Sequence, residues 1–138
     1  MASLIYNSAI DDMARGAIDF DTDTFKAMLV TSTYTPNKDT DLKRSAVTNE
    51  VTGTGYTAGG VTCACTVTKD TANDKVTLQF ASVSWAASTI TARALVYYKS
   101  RGGASSADEL VAYDDFGSDV SSSGGTFTVT ASTITLQN

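Results

Sequence analysis

The most constraining feature of this sequence is a strict alternation of apolar and polar residues in two neighbouring segments. Residues 61–68 read Val-Thr-Cys-Ala-Cys-Thr-Val-Thr, and residues 76–80 read Val-Thr-Leu-Gln-Phe. Side chains two apart lie on one face of a β-strand, so each segment predicts a strand with one buried and one solvated face. Because a polar turn at 69–74 separates the two segments, they are predicted to form an antiparallel hairpin.

Five further segments have the pattern of strands. Residues 25–33 are almost continuously apolar, which predicts a strand buried on both faces. The other four predicted strands are 47–52, 83–99 with a break before Thr89, 110–116 and 126–137, the last changing face near Ala131. The polar or glycine-rich segments between them are predicted to be loops and turns, and they are 35–41, 53–60, 101–106 and 118–125.

The N-terminal segment contains the one predicted helix. Asn7 or Ser8 is expected to cap it, and Gly16 is expected to end it. The residues expected on its buried stripe are Ala9, Ile10, Met13, Ala14 and Ala17.

Together these patterns predict an all-β fold. The 138 residues are enough for one domain, and no linker or repeat divides them. We therefore expect a single antiparallel β-sandwich over 1–138, jelly-roll-like and of about seven or eight strands, with an N-terminal arm and helix at about 3–16. The 22 Thr and 15 Ser residues suit the solvated faces of its strands.

The composition excludes several classes of function. The chain has no His, which removes Ser-His-Asp triads, Cys-His pairs and His-ligated metals. A net charge of −5 argues against a nucleic-acid partner, which needs a basic surface. No apolar run is long enough to cross a membrane, and the N-terminus lacks the pattern of a signal peptide. We therefore expect no nucleic-acid and no membrane partner, and folding in a reducing cytoplasm.

The two cysteines, Cys63 and Cys65, are predicted to lie on one face of one strand. Their nearly parallel Cβ directions do not suit a disulfide, so we interpret both as small core residues. A metal half-site is the alternative, but the sequence offers no second half.

Four other groups of residues were weighed as sites. The acidic run 19–23 begins like a calcium loop but lacks the Gly and Glu that such a loop requires, and the glycines of 53–60 match no phosphate-binding spacing. Asp114 and Asp115 are adjacent and so point to opposite faces, while Asp108 and Glu109 resemble exposed edge charges. An aromatic sugar platform is less favoured than core packing for Trp85, Tyr97, Tyr98 and Tyr113. We therefore predict no catalytic, cofactor-binding or metal-binding residues, no cofactor and no enzymatic activity.

Six stretches give the chain a resemblance to small structural proteins of tailed bacteriophages. The most distinctive pieces are Gly-Tyr-Thr-Ala-Gly-Gly at 55–60 and Tyr-Asp-Asp-Phe-Gly at 113–117. Within that group the chain looks most like the capsid decoration (cement) proteins. The stretches that carry the resemblance are 6–20, 23–30, 49–60, 83–85, 90–99 and 112–117.

The resemblance implies a non-enzymatic protein that binds the outer surface of the phage head and bridges subunits of the major capsid protein, as a homodimer or homotrimer. It would fold in the cytoplasm of the bacterial host and reside on the virion. We expect the N-terminal segment and the loop that follows Thr35 to contact the capsid or a neighbouring copy, with residues 2–6 dispensable for folding. The candidate interface residues are Leu4, Ile5, Tyr6, Lys38, Lys43 and Arg44. The alternatives are a tail, fibre or baseplate module that binds a host glycan, and a head-completion protein.

Overall fold

A computed structural model of the protein describes residues 2–138. Within that range it contains one α-helix, eight β-strands and two single-turn 3₁₀ helices. The first elements are β1 (Leu4–Ile5), α1 (Asn7–Ala14), β2 (Phe25–Val30), β3 (Val61–Cys63) and β4 (Cys65–Asp70). The others are β5 (Lys75–Phe80), β6 (Val83–Lys99), β7 (Leu110–Val129) and β8 (Ser132–Gln137), and the 3₁₀ turns are Arg44–Ala46 and Ser105–Ala107.

The strands form two antiparallel sheets. The larger sheet has the order β1-β7-β6-β2-β3, and the smaller has the order β4-β5-β8. The prediction of an all-β, sandwich-like fold with one short helix is therefore confirmed.

The predicted hairpin is present as β4 and β5, which pair residue for residue from Cys65↔Phe80 to Asp70↔Lys75. The single strand expected over 61–68 is wrong, because the chain leaves the larger sheet after Cys63 and enters the smaller one at Cys65. Only the exposed Ala64 lies between them, so the alternation persists across the break. Both thiols are free, with Cys63 buried and Cys65 half-buried.

The larger sheet is covered on both faces. One face packs on the smaller sheet around Phe80 and Leu95, and the other buries Tyr6 and Tyr98 beneath part of the segment 31–60, whose Tyr34 packs with them. This arrangement explains why β2 has one half-buried and five buried residues, as its continuous apolar sequence predicted.

The strand predicted at 47–52 is wrong. That part of the chain makes a single isolated bridge, between Val30 and Glu50, and lies along the β2 edge of the larger sheet, where the Val51 N–H donates to the Leu29 carbonyl at 2.9 Å. Tyr56 fastens it there, because its hydroxyl donates to Glu50 Oε1 at 2.7 Å and accepts the N–H of Leu29 at 3.0 Å. Burial of this phenol raises the pKa of Tyr56 well above its usual value.

The loop predicted at 118–125 is also wrong, since β7 runs through it to Val129. This part of β7 pairs with β6, and hydroxyl groups bond across the pair at Thr91–Ser121 and Ser88–Ser122, both at 2.7 Å. A strand on a solvated face tolerates such residues because their side chains bond to each other and to water.

Helix α1 begins one residue earlier than a polar cap would place it. Its N-cap is Tyr6, with no side-chain capping bond, so the prediction of Asn7 or Ser8 as the cap is wrong. Of the predicted stripe, Ala9 is buried and Met13 packs against the core, but Ile10 is 54% exposed. The helix ends at Ala14, and Gly16 follows with a positive φ of 77°.

Candidate functional site

The N-terminal segment is part of the folded body. Leu4 and Ile5 form β1, which pairs with β7, and Tyr6 is completely buried. The interpretation of Tyr6 as a contact residue is therefore wrong, because its side chain has no surface to offer. Residues 2–6 supply an edge strand and a core aromatic ring, so we now expect their deletion to destabilise the fold.

A chain of hydrogen bonds ties Tyr6 to the loop that follows β2. The Tyr6 and Tyr34 hydroxyls lie 2.8 Å apart, and Tyr34 donates to Asp41 Oδ2 at 2.9 Å, so Tyr6 is the donor to Tyr34. The same Asp41 oxygen accepts the N–H of Asn37 at 3.0 Å. The pKa of both phenols lies far above the usual value, and burial is the main cause.

Lys38 lies beside the start of helix α1. Its carbonyl accepts the backbone N–H of Asn7 at 2.9 Å, and its exposed ammonium pairs with Asp39 at 2.8 Å. The structure thus brings together two segments, the N-terminal one and the loop, that were predicted separately to make contacts.

Lys43 and Arg44 form salt bridges to two buried carboxylates. Arg44 Nε bonds to Asp108 at 2.8 Å and its guanidinium lies 5.0 Å from the centre of the Tyr98 ring, while Lys43 pairs with Glu109 at 3.4 Å. The expectation that Asp108 and Glu109 are exposed edge charges is wrong, since they are 1% and 3% exposed. The side chains of Lys43 and Arg44 are 37% and 22% exposed, and both are engaged within the fold.

Arg101 completes this cluster. Its guanidinium bonds to both oxygens of Glu109 at 2.6–3.0 Å, and its backbone N–H donates to Asp108 Oδ1 at 2.8 Å. Burial by itself would raise the pKa of Glu109, but these bonds and the charge of Lys43 outweigh it, and the pKa lies below its usual value. The cluster fixes the middle of the segment 31–60 to the residues that precede β7, and sequence reasoning missed it.

Ile10 and Leu42 are the most exposed large hydrophobic residues of the described chain, at 54% and 51%. Ile10 follows Asn7 by one helical turn, and Leu42 lies in the loop that contains Lys38. We call Ile10, Lys38 and Leu42 the loop surface. Leu42 was overlooked because an isolated leucine in a polar loop carries no periodic signal.

An apolar groove lies between helix α1 and strand β8. Its volume is about 120 Å³, and only apolar side chains line it. Ile5 and Leu136, on its rim, are each 37% exposed.

A larger cleft of about 390 Å³ separates β1 from β8. On its wall Tyr97 donates to Ser132 Oγ at 3.0 Å and Ser132 donates to Asp114 Oδ2 at 2.8 Å. Burial raises the pKa of Tyr97 to about 12, so this phenol stays protonated at neutral pH. The chain of bonds attaches the first residue of β8 to β7.

Asp115 has a different partner from its neighbour Asp114. Arg93 Nε bonds to Asp115 at 2.7 Å, which holds the pKa of that carboxyl well below its usual range. As predicted from their adjacency, the two carboxylates bond to different partners, Asp114 to Ser132 and Asp115 to Arg93.

The four aromatic residues weighed as a sugar platform are core residues. Trp85, Tyr97, Tyr98 and Tyr113 are between 1% and 4% exposed, and Trp85 packs against the rings of Tyr56 and Phe127. They present no face on which a sugar could stack.

The acidic run 19–23 is a turn closed by its own backbone. Asp19 accepts the N–H of Asp21 at 2.9 Å, and Asp23 accepts the N–H of Asp19 at 2.7 Å and pairs with Lys99 at 2.8 Å. Over residues 2–138, no group of three or more His, Cys, Asp or Glu side chains is placed to hold a metal ion. In the same part of the chain, no helix is long and apolar enough to span a membrane.

No protein-family model, curated protein or solved structure matches the chain. The arrangement of its own residues is therefore the basis for a functional proposal.

Proposed function

We propose that this protein is a non-enzymatic decoration (cement) protein of a tailed-bacteriophage head. It binds the outer surface of the capsid and stabilises the shell by bridging subunits of the major capsid protein. The observation that carries the proposal is the loop surface, where the N-terminal helix and the 38–44 loop lie side by side.

The chemistry of the loop surface suits binding to another protein. Ile10 and Leu42 are about half exposed, and covering such side chains removes apolar area from water at about 25 cal/mol per Å². Beside these apolar groups, Lys38 and Asp39 present an exposed ion pair that can bond to a polar partner. A small contact of this kind becomes effective when many copies act on one shell.

The rigidity of the body supports a bridging role. The segment 31–60 is held on the sheet by buried phenol groups, among them Tyr98, whose hydroxyl donates to the Gly59 carbonyl at 2.6 Å. The ionic cluster at Asp108 and Glu109 fixes the loop that carries Leu42. A clamp needs such fixed contact points, because a flexible loop would extend under load before it transmitted force.

Binding to phage capsids that lack decoration protein tests the proposal. The wild-type chain is expected to co-sediment with these shells and to raise the temperature at which they rupture. The double variant Lys38→Glu/Leu42→Asp is expected to lose most of the binding. Val120→Asp is the matched control, because Val120 is 42% exposed on β7 and lies outside the loop surface.

The outcomes separate the possibilities. Wild-type protein that does not bind these capsids contradicts the proposed function, whereas equal binding by all three proteins contradicts the role of the loop surface alone. Copies confined to the neck of the virion would instead indicate a head-completion protein.

A further inference from the structure

Strand β8 is a free edge of the smaller sheet and carries no charged residue. In the larger sheet β1 pairs with only two residues of β7, so the rest of β7 is also an edge, but its pairing with β6 is interrupted by register shifts. In the smaller sheet β4 and β8 each have six residues, but β4 ends in Lys69 and Asp70. Short strands and charges are common protections of a sheet edge, and β8 has neither.

The edge of β8 is also regular. All six of its residues pair one to one with β5, from Ser132↔Phe80 to Gln137↔Lys75, without a bulge. Alternate residues of such a strand direct their N–H and C=O groups away from the partner strand. The cleft between β1 and β8 lies beside Ser132–Thr135, so this part of the free edge borders open space.

We propose that β8 pairs with β8 of a second copy of this chain. The two strands run antiparallel about a two-fold axis, and the two three-stranded sheets become one six-stranded sheet. This pairing stands whether or not the chain binds a capsid.

The choice of a second copy rests on charge. Around a two-fold axis each strand faces its own sequence, so a charged residue near the centre would lie close to the same charge. Residues 120–138 contain no charged side chain, and neither do residues 76–92, which include most of the adjacent strand β5. Self-pairing at β8 therefore brings no like charges into contact within the paired strands.

The side-chain pattern also restricts the register to centres that lie on a residue, and we place the centre at Thr135. A two-fold axis perpendicular to the sheet keeps the inner faces of both strands on one side, so inward residues must lie opposite inward residues. A centre at Thr135 places Ile134 of one copy opposite Leu136 of the other. The apolar groove next to α1 would then be extended by the second copy, and Leu136, now 37% exposed, would be covered.

Analytical ultracentrifugation of the full chain over a concentration series tests the pairing. The wild-type protein is expected to approach twice the 14.4 kDa mass of one chain. Thr135 is exposed, so Thr135→Lys leaves the core intact but places two ammonium groups opposite each other. The dissociation constant of the dimer is expected to rise by about fivefold at low salt.

Two further samples make the result specific. Thr68→Lys changes an equally exposed threonine on β4, the other edge of the same sheet, and is expected to dimerise like the wild type. An equimolar mixture of Thr135→Lys and Thr135→Glu is expected to recover or exceed wild-type association, because the opposed charges then attract. A wild-type mass of one chain at every concentration overturns the proposal, and so does an equal effect of the changes at Thr68 and Thr135. None of these measurements involves a capsid, so failure here is distinct from failure of capsid binding.

Discussion

Replacing Asp108 by Asn tests the buried ionic cluster most directly. The Asp108 carboxylate is 1% exposed and accepts two hydrogen bonds at 2.8 Å, from Arg44 Nε and from the backbone N–H of Arg101. Asparagine has nearly the same shape, but it offers one acceptor oxygen where the structure presents two donors. The variant therefore loses one bond and leaves Arg44 without its counter-charge.

The expected cost follows from these contacts. A hydrogen bond to a charged group contributes about 1.5–3 kcal/mol, and breaking a fully buried ion pair costs about 3–5 kcal/mol. Because Arg44 is 22% exposed, water can solvate part of its released charge, which places the cost near the lower end. We expect Asp108→Asn to lower the free energy of unfolding by about 2–3 kcal/mol.

Urea unfolding followed by circular dichroism measures this loss. Asp21→Asn is the control, because Asp21 lies in the exposed acidic turn and its replacement is expected to change stability by less than about 0.5 kcal/mol. The loss at Asp108 is expected to persist in 1 M NaCl, since salt screens buried pairs much less than exposed ones. A loss below about 0.5 kcal/mol, or one that disappears in high salt, would refute the assignment of a buried ionic cluster.

Two further predictions concern a glycine and the thiols. A Cβ on Gly60, whose φ is +75°, would lie 1.8 Å from the Ala27 carbonyl oxygen, so Gly60→Ala is expected to cost at least about 2 kcal/mol in urea unfolding. Gly103→Ala, which meets nothing within 4 Å, is the matched control, and equal effects would contradict the close approach. Burial raises the pKa of Cys63 and Cys65 to about 11. Above about pH 8.5 the thiols of the unfolded chain lose protons that the folded chain keeps. The free energy of unfolding is therefore expected to fall as the pH rises from about 8.5 to 11. Urea unfolding at pH 8, 9 and 9.5 measures this slope, and a Cys63→Ala/Cys65→Ala variant that keeps the same slope over this range would contradict its origin in the thiols.

The elements predicted well from sequence are those with one buried and one solvated face. In β5 and β8 the alternation of side chains matches the alternation of environments, so the pattern determines which residues face inward. The same reasoning succeeded for β2 for a different reason, because two covered faces require a continuous apolar run.

The segment 47–52 shows where this reasoning fails. Val51 is 2% exposed because it packs into the core between the two sheets, although its segment makes only one bridge and is not a strand. A covering loop buries its apolar residues just as a strand does, and short-range periodicity does not distinguish them. The distinction depends on how the segment meets β2, whose Leu29 carbonyl accepts the N–H of Val51.

The ionic cluster could not be predicted for a related reason. Charged side chains are almost never fully buried unless they are paired, so Asp108 and Glu109 were expected on the surface. The partner that changes this outcome, Arg44, lies 64 positions earlier in the chain. Arg44 meets Asp108 only because the segment 31–60 packs against the residues that precede β7.

The pairing of the strands shows where the uncharged parts of the chain lie in the fold. Three long stretches, 51–68, 76–92 and 120–138, carry no charged side chain. The last two are distant in sequence but adjacent in space, because β5 pairs with β8 and β6 pairs with β7. All 25 charged residues therefore lie in the rest of the chain. Association through β8 brings two uncharged regions together, whereas contact through the charged parts of two acidic chains would place like charges close to each other. The absence of charge on β5 as well as on β8 thus favours the same contact as the regular, unpaired edge of β8.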